Sequence, residues 1–140
     1  MADALVVTAT WEGGYAATVE ARGHRIAVDE PEYAGGEDGG AMPTEVFCAA
    51  LASCFCLAVG WAAGKRGEDV PGLRVIVRAH RPGRELRYER FEVETTAAVE
   101  DAALARLVER ARPLCWVSNT LASGVTVEYL HTSVNSNIGK

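Results

Sequence analysis

The chain has 140 residues and a formal net charge of -5. That length is one ordinary domain, and 49% hydrophobic residues are enough for a real core. The acidic balance argues against nucleic acid, whose phosphates need a basic patch, and against docking on an anionic membrane surface.

The opening "MADALVVTATWEGG" carries Asp3 in place of a basic leader region, and its apolar stretch is short and alternating. No secretion signal is expected, and the cytoplasm is the expected compartment. Cysteines there stay mostly reduced, and a disulfide is more often transient and catalytic than structural. "ALVVTATWE" (Ala4–Glu12) reads as a strand. Gly13-Gly14 signals a hairpin turn, Tyr15–Ala21 is the second strand, and Arg22-Gly23 turns into the third, His24–Glu30. Pro31 to Met42 holds four glycines and no periodicity, so it is a loop suited to crossing a face or covering a site.

Pro43 stands where a first helical residue belongs, and the helix is expected to run to about Ala63, stopped by Gly64-Lys65-Arg66-Gly67. Leu73–His80 and Leu86–Glu100 are strands, the second with room for a bulge. A second helix starts near Asp101, with Ala103, Leu104, Leu107, Val108 and Ala111 on one face, and Pro113 ends or kinks it. Ser118–Ala122 can make one more turn, Val125–His131 alternates as a last strand, and residues 132–140 read as a loose tail. The order βββ–α–ββ–α–β is a single α+β domain over 1–140 with a mostly antiparallel sheet.

From Val46 to Ala63 there is no charge. Eighteen helical residues span roughly 27 Å, close to a bilayer core. The segment is nonetheless rich in Ala and Cys, lies between amphipathic strands and has no aromatic belt at both ends. It reads as a core helix, not a membrane span. A helix apolar all round must be buried all round, and one small sheet with one other helix can hardly enclose it. A second copy of the chain could, so a homodimer is expected with this helix at or near the interface.

Three of the four cysteines lie on this helix. With Cys54 at zero, Cys48 lies at about 120° and Cys56 at about 200°, so the three cannot jointly hold a metal. His24, His80 and His131 have no partner at helical spacing, and no metal or other cofactor is expected. Cys48 and Cys56 read as small core hydrophobes. Cys54 sits among small residues in "AALASCF". Cys115, just after Pro113, can stand at the start of a turn whose N–H groups favour a thiolate.

Together, "PTEVFCAALASCF" (Pro43–Phe55) and "CWVSNTL" (Cys115–Leu121) resemble the OsmC/Ohr family (osmotically inducible protein C and organic hydroperoxide resistance protein). The helical segment matches that family's proline, acidic residue and cysteine eleven positions beyond the proline. The segment at Cys115 is similar to its Cys-Pro-x-Ser-Asn motif, and the glycine-rich run Gly35–Pro43 fits as well. The resemblance implies an OsmC-like fold: an intertwined homodimer with long buried central helices and interfacial active sites. It further implies thiol-dependent reduction of organic or lipid hydroperoxides in oxidative-stress defence. Cys54 would be peroxidatic and Cys115 resolving, with an external dithiol as reductant. Relatives carry a glutamate directly after the motif proline, where this chain has Thr44, with Glu45 one place on. They carry an arginine in an early Gly-Gly-Arg turn, where this chain has Tyr15. Arg25 is the candidate cation, Thr44 and Glu45 are candidate supporting groups, and Trp116 and Phe55 are candidate substrate walls. Two alternatives stand beside the peroxidase: an OsmC-fold small-molecule binder and a redox sensor with slow turnover.

Overall fold

The computed structural model describes residues 4–134. Three strands form one antiparallel sheet in the order β1–β2–β3: β1 Thr8–Gly13, β2 Ala16–Ala21 and β3 His24–Val28. Its turns fall at Gly13-Gly14 and Arg22-Gly23, and the ladder slips once, between Trp11 and Gly13. The first strand begins at Thr8, later than the sequence pattern predicts. A second antiparallel sheet holds β4 Arg74–His80 and β5 Arg90–Thr96 in unbroken register from Arg74↔Thr96 to His80↔Arg90. The bulge thus sits in β1, and β5 is the central part of the stretch predicted as strand.

The aperiodic segment between β3 and the first helix is built around one carboxylate. Asp29 is buried and accepts backbone N–H bonds from Glu30 at 2.7 Å, Gly39 at 3.0 Å and Glu37 at 3.3 Å. Asp29 N–H donates to the Ala41 carbonyl at 3.1 Å, beside a Val28–Ala41 bridge. The chain packs on itself so closely that a Cβ on Gly36 would lie 1.9 Å from the Glu30 carbonyl oxygen. One on Gly40 would lie 2.2 Å from that of Ala27. Glycine is required here because backbone meets backbone.

The long helix α1 runs Pro43–Lys65, with Pro43 in its first turn. Its N-terminus is closed by the Glu45 carboxylate, which accepts the Met42 N–H at 2.8 Å. By length and composition α1 is apolar enough to cross a membrane, and a third of its most apolar stretch (33%) is buried in the chain. The buried side carries Leu51, Phe55, Ala58, Val59, Ala62 and Ala63. Against it packs α2, Asp101–Ala111, through Leu107 and Ala111. Leu107 and Val59, with Cys115, are the largest fully buried side chains. The β4–β5 sheet covers the same core with Val75, Val77 and Phe91.

Pro113 ends α2 in a short 3-10 turn, and a third helix, α3, runs Trp116–Ser123. The sequence pattern marks only a single turn there. Val125–His131 forms no strand. Alternation creates a strand only where a ladder partner is offered, and no described strand of the same chain reaches this segment. Its Val125, Val127, Tyr129 and Leu130 are exposed. Of the tail expected over 132–140, residues 135–140 lie outside the described residues.

Candidate functional site

Two helices bring two thiols together. Cys54 lies near the middle of α1, packed against the core cluster. Cys115 is the residue that caps the start of α3, with extended backbone (φ -91°, ψ 107°). The break imposed by Pro113 turns the chain so that the first turn of α3 faces α1. The Cys54 side chain neighbours Cys115 and helps to hold the Cys115 thiol below its ordinary value. Both are free cysteines.

Their exposures differ. Cys115 is 0% exposed. Cys54 is half-buried and opens on an apolar pocket of about 360 Å³ that it shares with Leu57, Ala58, Trp61, Leu114 and Trp116. Among the described residues no charged side chain lines this pocket.

Burial is the largest single influence on the Cys115 thiol and raises its pKa. The Ser118 hydroxyl, the Ser118 N–H, the Cys54 thiol and the Val117 N–H act the other way, and together they hold the thiol below its ordinary value. No side-chain cap bond closes the start of α3 at Cys115. The Ser118 hydroxyl also donates to the Cys115 carbonyl at 3.3 Å, and the Asn119 amide donates to the Pro113 carbonyl at 3.0 Å. Both bonds fix the turn that carries Cys115.

Trp116 is largely exposed at the pocket mouth. Phe55 points the other way. It is buried and lines a separate groove of about 700 Å³ with Leu51, Phe91, Pro113 and Ser118. Thr44 lines a third groove, about 650 Å³, with Met42, Phe47, Arg81, Leu86 and Tyr88. Glu45 is the exposed cap of α1. Arg25 stands on β3 and pairs with Glu20 at 2.7 Å, both side chains in solvent. Neither Glu45 nor Arg25 enters the Cys54 pocket within one chain.

Cys48 and Cys56 are half-buried on other sides of α1. Burial pushes the Cys48 thiol up, and the Glu45 charge adds to it. Among the described residues no three His, Cys, Asp or Glu side chains converge as metal ligands.

Leu57, Trp61, Leu114 and Ser118 belong to the site without having been singled out by sequence reasoning. Leu57, Ala58 and Trp61 follow Cys54 at three, four and seven positions. That is the spacing of one helix face and the signal that could have found them.

The same face of α1 carries Ala50, Ser53, Leu57 and Trp61, all uncharged. Leu57 is 74% and Trp61 56% exposed. Lys65 closes the stripe with its ammonium 5.0 Å from the Trp61 ring centroid.

The family model for OsmC-like proteins matches residues 35–130. Several solved structures share the fold. The OsmC-like protein of Mycoplasma pneumoniae superposes with a TM-score of 0.73 at 16% identity, over 87% of this chain and 89% of that one. An organic hydroperoxide resistance protein of Elizabethkingia anophelis, solved with thiocyanate bound, gives 0.61 at 24% identity over 85% and 88%. An organic hydroperoxide resistance protein OsmC of Legionella pneumophila gives 0.60 at 20% identity over 83% and 87%. No curated protein sequence matches the chain.

Proposed function

Because the chain belongs to the family of OsmC-like proteins, we propose that it is a cysteine-based peroxidase. It reduces organic or lipid hydroperoxides in a reducing, cytoplasmic setting. The observation that carries the reading is the pair of thiols, one fully buried and one facing an apolar pocket. The organic hydroperoxide resistance proteins that share the fold favour the same chemistry.

The Cys54 thiolate attacks the terminal peroxide oxygen, and the O–O bond breaks. The departing alkoxide takes a proton and leaves as alcohol, while Cys54 becomes a sulfenic acid. Cys115 attacks the sulfenic sulfur and expels hydroxide, giving a Cys54–Cys115 disulfide. An external dithiol reduces that disulfide by exchange. The walls of Leu57, Trp61, Leu114 and Trp116 suit an apolar organic group on the peroxide.

The working unit in this proposal is a homodimer. The Ala50–Ser53–Leu57–Trp61 face is uncharged and exposed among the described residues, and the Cys54 pocket opens beside it. A second copy lying on that face would bury it and wall the pocket. The apolar lining that the described residues give the pocket favours a second reading, in which the same thiols serve a slow redox sensor or a small-molecule binder.

Steady-state turnover separates these readings. With dithiothreitol as reductant, cumene hydroperoxide is consumed over many turnovers by the wild type and not by Cys54→Ser. A single stoichiometric oxidation without turnover favours the sensor and defeats the peroxidase.

A further inference from the structure

The groove of about 650 Å³ at the start of α1 takes no part in the thiol chemistry and shares no lining residue with the Cys54 pocket. Three segments wall it: Glu30 from the loop that Asp29 organises, Met42 and Phe47 from the start of α1, and Arg81, Leu86 and Tyr88 from the connection between β4 and β5.

The walls are held before any ligand arrives. Asp29 fixes the loop that carries Glu30 by accepting its backbone N–H bonds. The β4–β5 connection is closed at its base by the Glu89 N–H, which donates to the His80 carbonyl at 2.8 Å. Phe47 and Tyr88 each set a tilted ring against Phe91, with centroids 5.8 Å apart in both pairs. Even so, Phe47 is 44% and Leu86 99% exposed. Aromatic and aliphatic surface lies open in the groove.

Charges of both signs border that surface. The Arg87 guanidinium is spent on the Glu85 carboxylate at 2.6 Å. Arg81 donates twice to the Glu85 carbonyl, at 3.2 and 3.0 Å. Those bonds hold its guanidinium in place without neutralising it, and they leave further N–H groups free. Glu30 is half-buried. Among the described residues neither Arg81 nor Glu30 has an ion-pair partner. A charge beside apolar walls gives up hydration, and an opposite charge on a ligand offsets that loss.

We infer that this groove binds a small zwitterion with an aromatic side chain, the chemistry of a free aromatic amino acid or a short peptide. The ligand's carboxylate meets Arg81, its ammonium meets Glu30, and its ring covers Phe47, Leu86 and Tyr88. One more tilted ring extends the aromatic packing already present. A simple organic anion fits less well because Glu30 repels it, and Arg81 does the same to a simple amine. The inference goes beyond the peroxidase reading and does not depend on it.

Isothermal titration of the full chain with L-phenylalanine tests it. Hydrocinnamate lacks the ammonium and phenethylamine lacks the carboxylate. Each should bind roughly tenfold or more weakly than L-phenylalanine, the loss expected for one charge-assisted contact. L-alanine keeps both charges without the ring and should also bind more weakly. Arg81→Gln should remove the advantage over phenethylamine and keep the advantage over hydrocinnamate. Glu30→Gln should do the reverse. Phenylalanylalanine is titrated in parallel, and the tighter of the two zwitterions identifies amino acid or peptide as the source. Absence of binding by both zwitterions at about 10 mM overturns the inference. So does hydrocinnamate or phenethylamine binding as tightly as L-phenylalanine, or an advantage that neither variant alters. The ligand comparison uses the wild-type chain, so it decides the matter even where a variant fails to fold.

Discussion

Replacing Gly40 by alanine tests whether the loop into α1 is as tightly built as its hydrogen bonds imply. The added Cβ would stand 2.2 Å from the Ala27 carbonyl oxygen, 2.6 Å from its carbon and 3.1 Å from the Val28 nitrogen. All three are backbone atoms of β3, so no side chain can swing away. Relief requires the loop to lift, which strains the Asp29 N–H to Ala41 bond and the Val28–Ala41 bridge. Overpacking of this kind costs about 1–3 kcal/mol, and the loss of a bonded backbone group adds about 1 kcal/mol. We therefore expect about 3 kcal/mol. Taking about 2.1 cal/mol/K of unfolding entropy per residue over 140 residues, that lowers Tm by about 10 °C. Thermal unfolding followed by circular dichroism measures it. Gly64→Ala is the control: a Cβ there meets nothing within 4 Å, and alanine favours the helix by up to about 1 kcal/mol. A Gly40→Ala melt within about 2 °C of wild type would refute the packed loop.

Three further outcomes are expected. Leu107→Ala removes one of the largest fully buried side chains between α1 and α2 and should cost about 3 kcal/mol in urea unfolding; a loss under about 1 kcal/mol would mean the core lies elsewhere. The Gly39 N–H, helped by those of Glu30 and Glu37 and opposed by burial, holds the Asp29 carboxyl below its ordinary value. Its folded pKa is depressed, so its contribution is present above the ordinary carboxylate range of about 4 and lost as pH falls through the lower folded value. Between pH 5 and 2 the urea midpoint should drop more in wild type than in Asp29→Asn, and parallel slopes would contradict that. Leu57→Glu places a charge on the exposed face of α1, where a lone chain should tolerate it within about 0.5 kcal/mol. Sedimentation should show a wild-type dimer and a variant monomer, and identical mass for both would remove that face from the interface.

Local patterns located most of the elements. Glycine pairs marked the meander turns, Pro43 marked the start of α1, and Pro113 marked the break that presents Cys115. Where the pattern misled, the missing information was tertiary. Val125–His131 alternates like a strand, but alternation carries no record of whether a neighbour supplies a ladder. Pro31–Met42 reads as an aperiodic loop because its organiser is one buried carboxylate, Asp29, bonded to groups up to ten residues away. The cysteine pair was visible only through family resemblance. Nothing in the spacing between 54 and 115 says that the first turn of α3 folds onto the middle of α1. Arg25 and Glu45 are residues of a suitable type near the expected places, yet each has a local partner that sequence position alone does not reveal.

The most direct test of the proposed chemistry is the mass and thiol count of the wild-type chain after one equivalent of cumene hydroperoxide without reductant. The account predicts rapid loss of two thiols, a mass lower by two hydrogens, and a Cys54–Cys115 peptide that dithiothreitol separates. Four intact thiols after excess hydroperoxide, or a disulfide that joins any other pair, would contradict it.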